Sequence, residues 1–422
     1  MTAAGSSSLR ISRLAGGLRV VTESLPDAAS VALGVWVGVG SRDEPAPVAG
    51  VSHFLEHLLF KGAPGLSARA IAEGVDARGG DLNAFTSREY TAFHARLPAA
   101  EMAWGLDVLL SVIREPAFAD RDVEAERHVI LEELAWSADT PDDLVHTALA
   151  ESLYPDHPLG REVLGTARSV RAVTPDDIRA FHRRWYRRAN LVVAAAGPVD
   201  HDAVVERVEN VLGDLDPGER PQRTPPGTGI RRLHALDRPI EQTHVAIGWR
   251  ALSLDHDDRF ALAVANQVLG GGWSSRLFQE IREKRGMAYS VYSSLAAHHD
   301  AGSLSVYAGT NPDQVASLLA IVRDEIDELT SEGPSVREVE VARGGFEGAT
   351  ILALEDTGNR MSRLATGLTV RDRVIPVEEY LERVRAVTVA DVRRVLAEVA
   401  AGHRALALVG PDVSARVHAV AT

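Results

Sequence analysis

Apolar positions along this chain gather into short runs separated by polar, glycine- and proline-containing stretches. Val31–Val39, Leu191–Ala196 and Val245–Arg250 read as apolar strands, each too short to be anything but an internal element of a folded domain. Asp81–Thr86 and Tyr90–Leu97 lie close enough in sequence to pair as antiparallel neighbours, the first leaving a Gly79-Gly80 turn. Ala119–Trp136 and Ser335–Leu354 read as long helices. These helices are too bunched for a regular alternation of strand and helix. The pattern therefore predicts an α+β fold, a mixed, mostly antiparallel sheet with helices packed on one face.

The same pattern is written twice. Val170-Arg171-Ala172-Val173-Thr174 returns as Val384-Arg385-Ala386-Val387-Thr388, each time opening an amphipathic helix. Each copy then reaches an apolar strand closed by Gly-Pro, at Gly197-Pro198 and again at Gly410-Pro411. Upstream, Asp122-Val123-Glu124 matches Glu338-Val339-Glu340. Three matches in the same order at nearly constant spacing indicate a duplicated domain rather than a solenoid unit. Between the copies, Asp216-Pro217-Gly218 through Pro225-Pro226-Gly227 is too rich in proline, glycine and charge to continue a helix or strand. The expected organisation is one domain over 1–215, a linker over 216–232 and a second domain over 233–422.

Composition narrows the function. A chain of 422 residues exceeds one hydrophobic core, and 45% hydrophobic with 25% charged residues is ordinary for a soluble globular protein. A formal net charge of −14 disfavours nucleic acid and anionic membrane as partners. With no cysteine, there is no thiolate nucleophile and no Cys-ligated metal, so any zinc must be held by His and carboxylate. Met1–Arg10 is small and polar, without the apolar core of a secretory signal, which sets the expected location as cytoplasmic.

The candidate chemistry sits in His53-Phe54-Leu55-Glu56-His57. Helical spacing puts His53, Glu56 and His57 on one face. Two neutral imidazoles there make half of a tetrahedral zinc site, and the carboxylate between them is placed to take a proton from water. The order H-x-x-E-H is the inverted form of the H-E-x-x-H zinc-protease motif. A third ligand is on offer from the helix containing Glu126, Glu132 and Glu133. Glu126 and Glu133 are two turns apart on nearly one face, and Glu132 is rotated about 100° from Glu133. Spacing alone does not choose between Glu132 and Glu133. In the second copy Glu126 and Glu133 fall on Ala342 and Ala349, and nothing there matches the His-Glu-His run, so one metal site per chain is expected. No G-x-S-x-G elbow and no phosphate-binding glycine loop is present, although Gly270-Gly271-Gly272 opens a helix. His298-His299-Asp300 reads as a solvated turn between strands.

Gly50-Val51-Ser52-His53-Phe54-Leu55-Glu56-His57-Leu58-Leu59-Phe60-Lys61-Gly62 closely resembles the zinc segment of the pitrilysin-type, or insulinase-type, peptidases. That family includes insulin-degrading enzyme, the mitochondrial processing peptidase and smaller bacterial processing peptidases. The resemblance implies Zn²⁺ held by His53, His57 and Glu133, with Glu56 as general base and Glu126 as a helper beside a ligand histidine. It favours Glu133 over Glu132. It implies that the strand carrying Asn83, Ala84 and Phe85 binds substrate by edge addition, and that Arg282 and Tyr289 bind substrate and steady the developing oxyanion. The expected substrate is an unfolded peptide or presequence-like segment. The expected assembly is a homodimer, with a heterodimer of related subunits as the alternative, in which Arg282 and Tyr289 would serve the partner's zinc site. Two other readings compete: a non-catalytic interaction subunit of the same fold, and a metal-free peptide-binding module.

Overall fold

In the computed structural model residues 8–416 are described; of Met1–Arg10, expected to lack a signal sequence, residues 1–7 lie outside this range. The chain runs β1 (Ser8–Arg13), β2 (Arg19–Ser24), β3 (Ser30–Val37), α1 (Val51–Leu59), β4 (Gly62–Ala63), β5 (Leu66–Ser67), α2 (Ala68–Arg78), β6 (Asp81–Thr86) and β7 (Thr91–Pro98). It continues through α3 (Met102–Arg114), α4 (Asp120–Asp139), α5 (Pro141–Leu153), α6 (Ala167–Ala172), α7 (Pro175–Trp185), β8 (Leu191–Gly197) and α8 (His201–Leu212). The second half holds β9 (Leu233–Asp237), β10 (Thr243–Ala251), α9 (Arg259–Leu269), β11 (Ala288–Ala297), β12 (Gly302–Thr310), α10 (Val315–Ser331) and α11 (Val336–Ala353). It ends with α12 (Thr357–Arg371), α13 (Val377–Ala386), α14 (Val389–Ala400), β13 (Arg404–Gly410) and α15 (Val413–Arg416).

Two compact units result. The first combines residues 1–134, 162–223 and 350–375, and the second combines 135–161, 224–349 and 376–422. These are not the contiguous halves 1–215 and 233–422 that the repeat suggested. Each unit takes one helix from the other half of the sequence, α12 into the first and α5 into the second.

In the first unit the sheet order is β1-β2-β8-β3-β7-β6, with β2 and β8 parallel and every other pair antiparallel. Alternation along β3 decides what each face buries. Leu33, Val35 and Val37 join Phe54, Leu55 and Leu58 of α1 in one core cluster, while Ala32 and Trp36 face α12 through Met361, Leu364 and Leu368. Helices therefore cover both faces, not one. The reason is in β3 and β8, whose residues are apolar at nearly every position and would leave a bare hydrophobic face without α12.

The second unit repeats this plan with five strands, β11-β12-β10-β13-β9, of which only β13 and β9 run parallel. Ile247, Trp249, Leu304 and Val306 pack toward α9, α10 and α14, and Ala246, Ala405 and Ala407 pack against Val145, Leu149 and Leu153 of α5. His298-His299-Asp300 forms the connection between β11 and β12, where the sequence placed it. Among the described residues no helix is long and apolar enough to cross a membrane.

Candidate metal centre

The first unit holds the His-Glu-His run on α1, and the local sequence explains why the helix begins where it does. Gly50 has φ +96°, and a Cβ there would sit 2.5 Å from the Leu164 carbonyl oxygen, so only glycine fits. The buried Glu44 carboxylate accepts from the backbone N–H of Gly50 at 2.6 Å and of Ser52 at 2.7 Å. A carboxylate on the first N–H groups satisfies donors that the helix cannot pair internally and opposes the positive end of its dipole. Val51, Phe54, Leu55, Leu58 and Leu59 bury the opposite stripe, each large side chain worth about 1.5–3 kcal/mol of apolar burial. His53, Glu56 and His57 are left together on the remaining face.

α4 brings the third group. The Glu133 carboxylate oxygen lies 3.7 Å from His53 Nε2 and 3.5 Å from His57 Nε2, and one ligand atom from each residue falls within 4.8 Å of the others. Ligands about 2.1 Å from one ion at tetrahedral angles stand about 3.4 Å apart, so this spacing suits a zinc ion with little adjustment. Glu132 is exposed and outside the group, so of the two glutamates it is Glu133 that the fold brings to the histidines.

Protonation states suit the same donor set. Burial, with His57 nearby, pushes His53 down to about 4, leaving a neutral imidazole at neutral pH. Its Nδ1 is buried without a hydrogen-bond partner. His57 Nδ1 meets Glu126 at 3.0 Å, so its Nε2 is the nitrogen turned to Glu133. Glu126 also takes an ion pair from Lys61 at 2.5 Å. Burial acts to raise the Glu126 pKa, but the bonds from Lys61 and His57 outweigh it and hold the carboxylate below its usual range. Glu56 differs. Burial lifts its pKa above the ordinary carboxylate value, against a 2.6 Å hydrogen bond from Thr86 Oγ1 that pulls the other way.

Thr86 belongs to β6, which is the last strand of its sheet and lies beside α1. Its outer backbone edge is therefore unpaired by the sheet. Ala84 packs toward the core on the α1 side, and Phe85 turns the other way, meeting the Trp36 ring edge-on at 6.2 Å. Asn83 is exposed, with its side-chain oxygen accepting from the Ala84 N–H at 2.8 Å.

Arg282 and Tyr289 belong to the second unit. Arg282 Nη1 donates to the Tyr289 carbonyl at 2.9 Å, and its guanidinium stacks 4.6 Å from the Tyr289 ring. Arg282 closes a wide π-type turn, Phe278–Glu283, and the β11–β12 register shifts between Ala288 and Val291. The bulge re-aims Tyr289, whose side chain is 80% exposed. Glu44, Lys61 and Thr86 escaped the sequence reading. Lys61 stands one turn after His57, a spacing that could have flagged it, whereas nothing local links Thr86 to Glu56.

Comparison with known proteins identifies the family. Residues 19–167 match the family described as Insulinase (Peptidase family M16), and residues 172–346 match the Peptidase M16 inactive domain. An uncharacterized zinc protease of Mycobacterium tuberculosis is 43% identical over 412 residues, covering 96% of this chain and 94% of that protein. The uncharacterized zinc protease YmxG of Bacillus subtilis is 35% identical, covering 94% and 97%. Among solved structures, a protease from Helicobacter pylori superposes with a TM-score of 0.89 at 23% identity, covering 96% of this chain and all of that one, which supports the fold. A Pseudomonas fluorescens structure described as a peptidase M16 inactive domain also reaches 0.89, at 22% identity and 96% and 98% coverage. With both of its domains matched and relatives of this similarity along nearly its whole length, the chain belongs to the insulinase-type peptidase family M16.

Proposed function

We propose that this protein is a zinc-dependent endopeptidase that cleaves unfolded peptides. The observation that carries the reading is the convergence of His53, His57 and Glu133, with Glu56 on the same helical face and raised in pKa. These three residues would hold one Zn²⁺ per chain. When bound, such an ion acidifies a water and polarises a scissile carbonyl.

The chain's own groups then divide the work. Glu56 takes the proton from the attacking water and returns it to the nitrogen of the leaving amine. A raised pKa makes it the stronger base, and the Thr86 hydrogen bond fixes which oxygen remains free to act. Glu126 accepts from His57 Nδ1–H and so keeps the Nε2 lone pair toward the ligand position. Asn83, Ala84 and Phe85 on the free edge of β6 would pair backbone to backbone with an extended substrate, a mode that reads little side-chain sequence. Arg282 and Tyr289 would supply positive charge and a phenol to the carbonyl oxygen, and in a homodimer they would do so for the partner's site.

The test is cleavage of an unstructured peptide mixture by wild type and Glu56→Gln, read by mass spectrometry beside zinc content. Cleavage by wild type alone, with equal zinc in both proteins, is the expected result. Equal cleavage by both proteins would remove Glu56 from the reaction. Zinc without cleavage in either would favour the interaction-subunit reading.

A further inference from the structure

The proline-rich stretch between the two copies is not a free tether at its start. Residues 216–223 have no regular structure, yet they are stitched onto the first unit. The Pro217 carbonyl accepts from the Ala189 N–H at 2.8 Å and the Glu219 carbonyl from Asn190 Nδ2 at 3.0 Å. Arg220 Nε donates to the Ala189 carbonyl at 3.3 Å. Arg223 is the last residue of the stretch that belongs to this unit.

Its guanidinium holds two loops at once. Nε and Nη2 grip the Asp43 carboxylate as a fork, at 2.9 and 2.8 Å. Nη2 also donates to the backbone carbonyls of Gly38 at 3.1 Å and Glu89 at 2.7 Å. The side chains of Asp43 and Glu89 are almost fully buried, and the buried Arg42 pairs with Glu89 at 2.7 Å. Two arginines and two carboxylates thus form a charge-balanced cluster, in which Arg223 is the cation on Asp43 among the described residues. Buried charges persist when they are paired in good geometry, and removing one partner strands the other.

Both loops lead to the metal centre. The first, 38–50, joins β3 to α1. Directly after Asp43 comes Glu44, whose carboxylate holds the N–H groups of Gly50 and Ser52. The second, 87–90, follows Thr86, which donates to Glu56. The loops are laced to each other, with the N–H groups of Ser41 and Arg42 donating to the carbonyls of Ser87 and Arg88 at 3.1 and 2.8 Å. Gly40 permits that approach, since a Cβ there would collide with the Ser87 carbonyl oxygen. Arg223 therefore bridges the segment that sets the start of α1 and the segment that ends β6.

We propose that Arg223 is a positioning residue for the metal centre, fixing α1 against β6 by locking Asp43 and the 87–90 turn together. Its effect on kcat rests on the peptidase reading above. Its effect on metal affinity requires only that His53, His57 and Glu133 bind zinc. Lysine does not replace it, because a flexible ammonium does not reproduce a planar fork serving a carboxylate and two carbonyls.

Full-length Arg223→Lys and Arg223→Gly are compared with wild type by zinc competition against a chromophoric chelator and by peptide turnover. Both variants should bind zinc about tenfold more weakly and lose about tenfold in kcat, with KM within about twofold of wild type. Millimolar methylguanidinium should restore Arg223→Gly on both measures and methylammonium should not, a rescue that general loosening of the fold would not show. Arg220→Gln is the control. Arg220 bonds Ala189 and pairs with Asp372 but touches neither loop, so this variant should match wild type. Unchanged zinc affinity in both Arg223 variants, or a loss that methylguanidinium leaves unrescued, overturns the inference. Equal losses in Arg220→Gln and Arg223→Gly also overturn it, by assigning the effect to linker anchorage alone. A wild type that binds zinc without cleaving peptide overturns the peptidase reading instead, and the zinc measurements then decide the role of Arg223.

Discussion

α1 and α9 occupy the same place in two copies of one fold, and only α1 carries the His-Glu-His cluster. Both lie beside the end strand of their sheets, β6 in one and β11 in the other, and bury an apolar stripe, Phe54, Leu55 and Leu58 in one and Leu262, Val264 and Val268 in the other. α1 adds His53, Glu56 and His57 on its remaining face, and the first unit supports them with Glu44 at the helix start, Thr86 on β6 and Lys61 through Glu126. α9 has no such residues, and the counterparts of Glu126 and Glu133 on α11 are Ala342 and Ala349. Packing is kept in both copies and the polar cluster in one. The fold is thus a scaffold on which the site is an addition, and its residues stand or fall as a group.

The comparison can be broken most severely at Glu56. Glu56→Gln should lower kcat by about 10²–10⁴-fold, the usual range for a lost general base, with zinc content unchanged. Peptide turnover and metal analysis on the same samples would check it, and the corresponding face of α9 should tolerate polar exchange without effect on activity.

A comparable energy is expected from pH. His182 of α7 is buried, with Nε2 at 2.9 Å from the Ile113 carbonyl, and burial depresses it to about 4 from 6.5. The unfolded chain therefore binds the proton first. The stabilisation is present in full above pH 6.5 and is lost as pH falls to about 4, amounting to about 3 kcal/mol. At an offset of 214 the second copy has the buried Leu396 in this place, which cannot titrate. Urea unfolding between pH 7 and 4 should show the loss, and His182→Leu should flatten that slope.

Glu126→Gln should weaken zinc affinity by about 10–100-fold while leaving the fold intact, the usual effect of losing a carboxylate behind a ligand histidine. Competition with a chromophoric chelator would measure it. The smallest effect expected is that of Thr86→Val. It removes one hydrogen bond to Glu56 and should reduce kcat by about tenfold, the value of a bond to a charged group. A kcat equal to wild type would show that Thr86 is only part of the strand.

Much of this was legible in the sequence. The strands at Val31, Leu191 and Val245 formed because dense apolar runs need burial on both faces, and the duplication was visible in repeated words such as Val170–Thr174 and Val384–Thr388. Domain boundaries were not. An amphipathic helix states that it must cover something apolar but not which sheet it covers. α5 and α12 therefore left no sign in the sequence that each completes a unit built mainly from the other half. The unexpected second helical face follows from the same ambiguity.

At the site, the sequence by itself set which side-chain types could meet, His53, Glu56 and His57 at helical spacing in a chain without cysteine. Local periodicity suffices for that, because residues within one helix keep fixed relations. Only the tertiary structure decided that Glu133 and not Glu132 turns toward the histidines, that Thr86 restrains Glu56, and that Glu44 caps α1. Those contacts join elements separated by up to about 80 residues, and their geometry depends on how helices settle on a sheet, which no local spacing records.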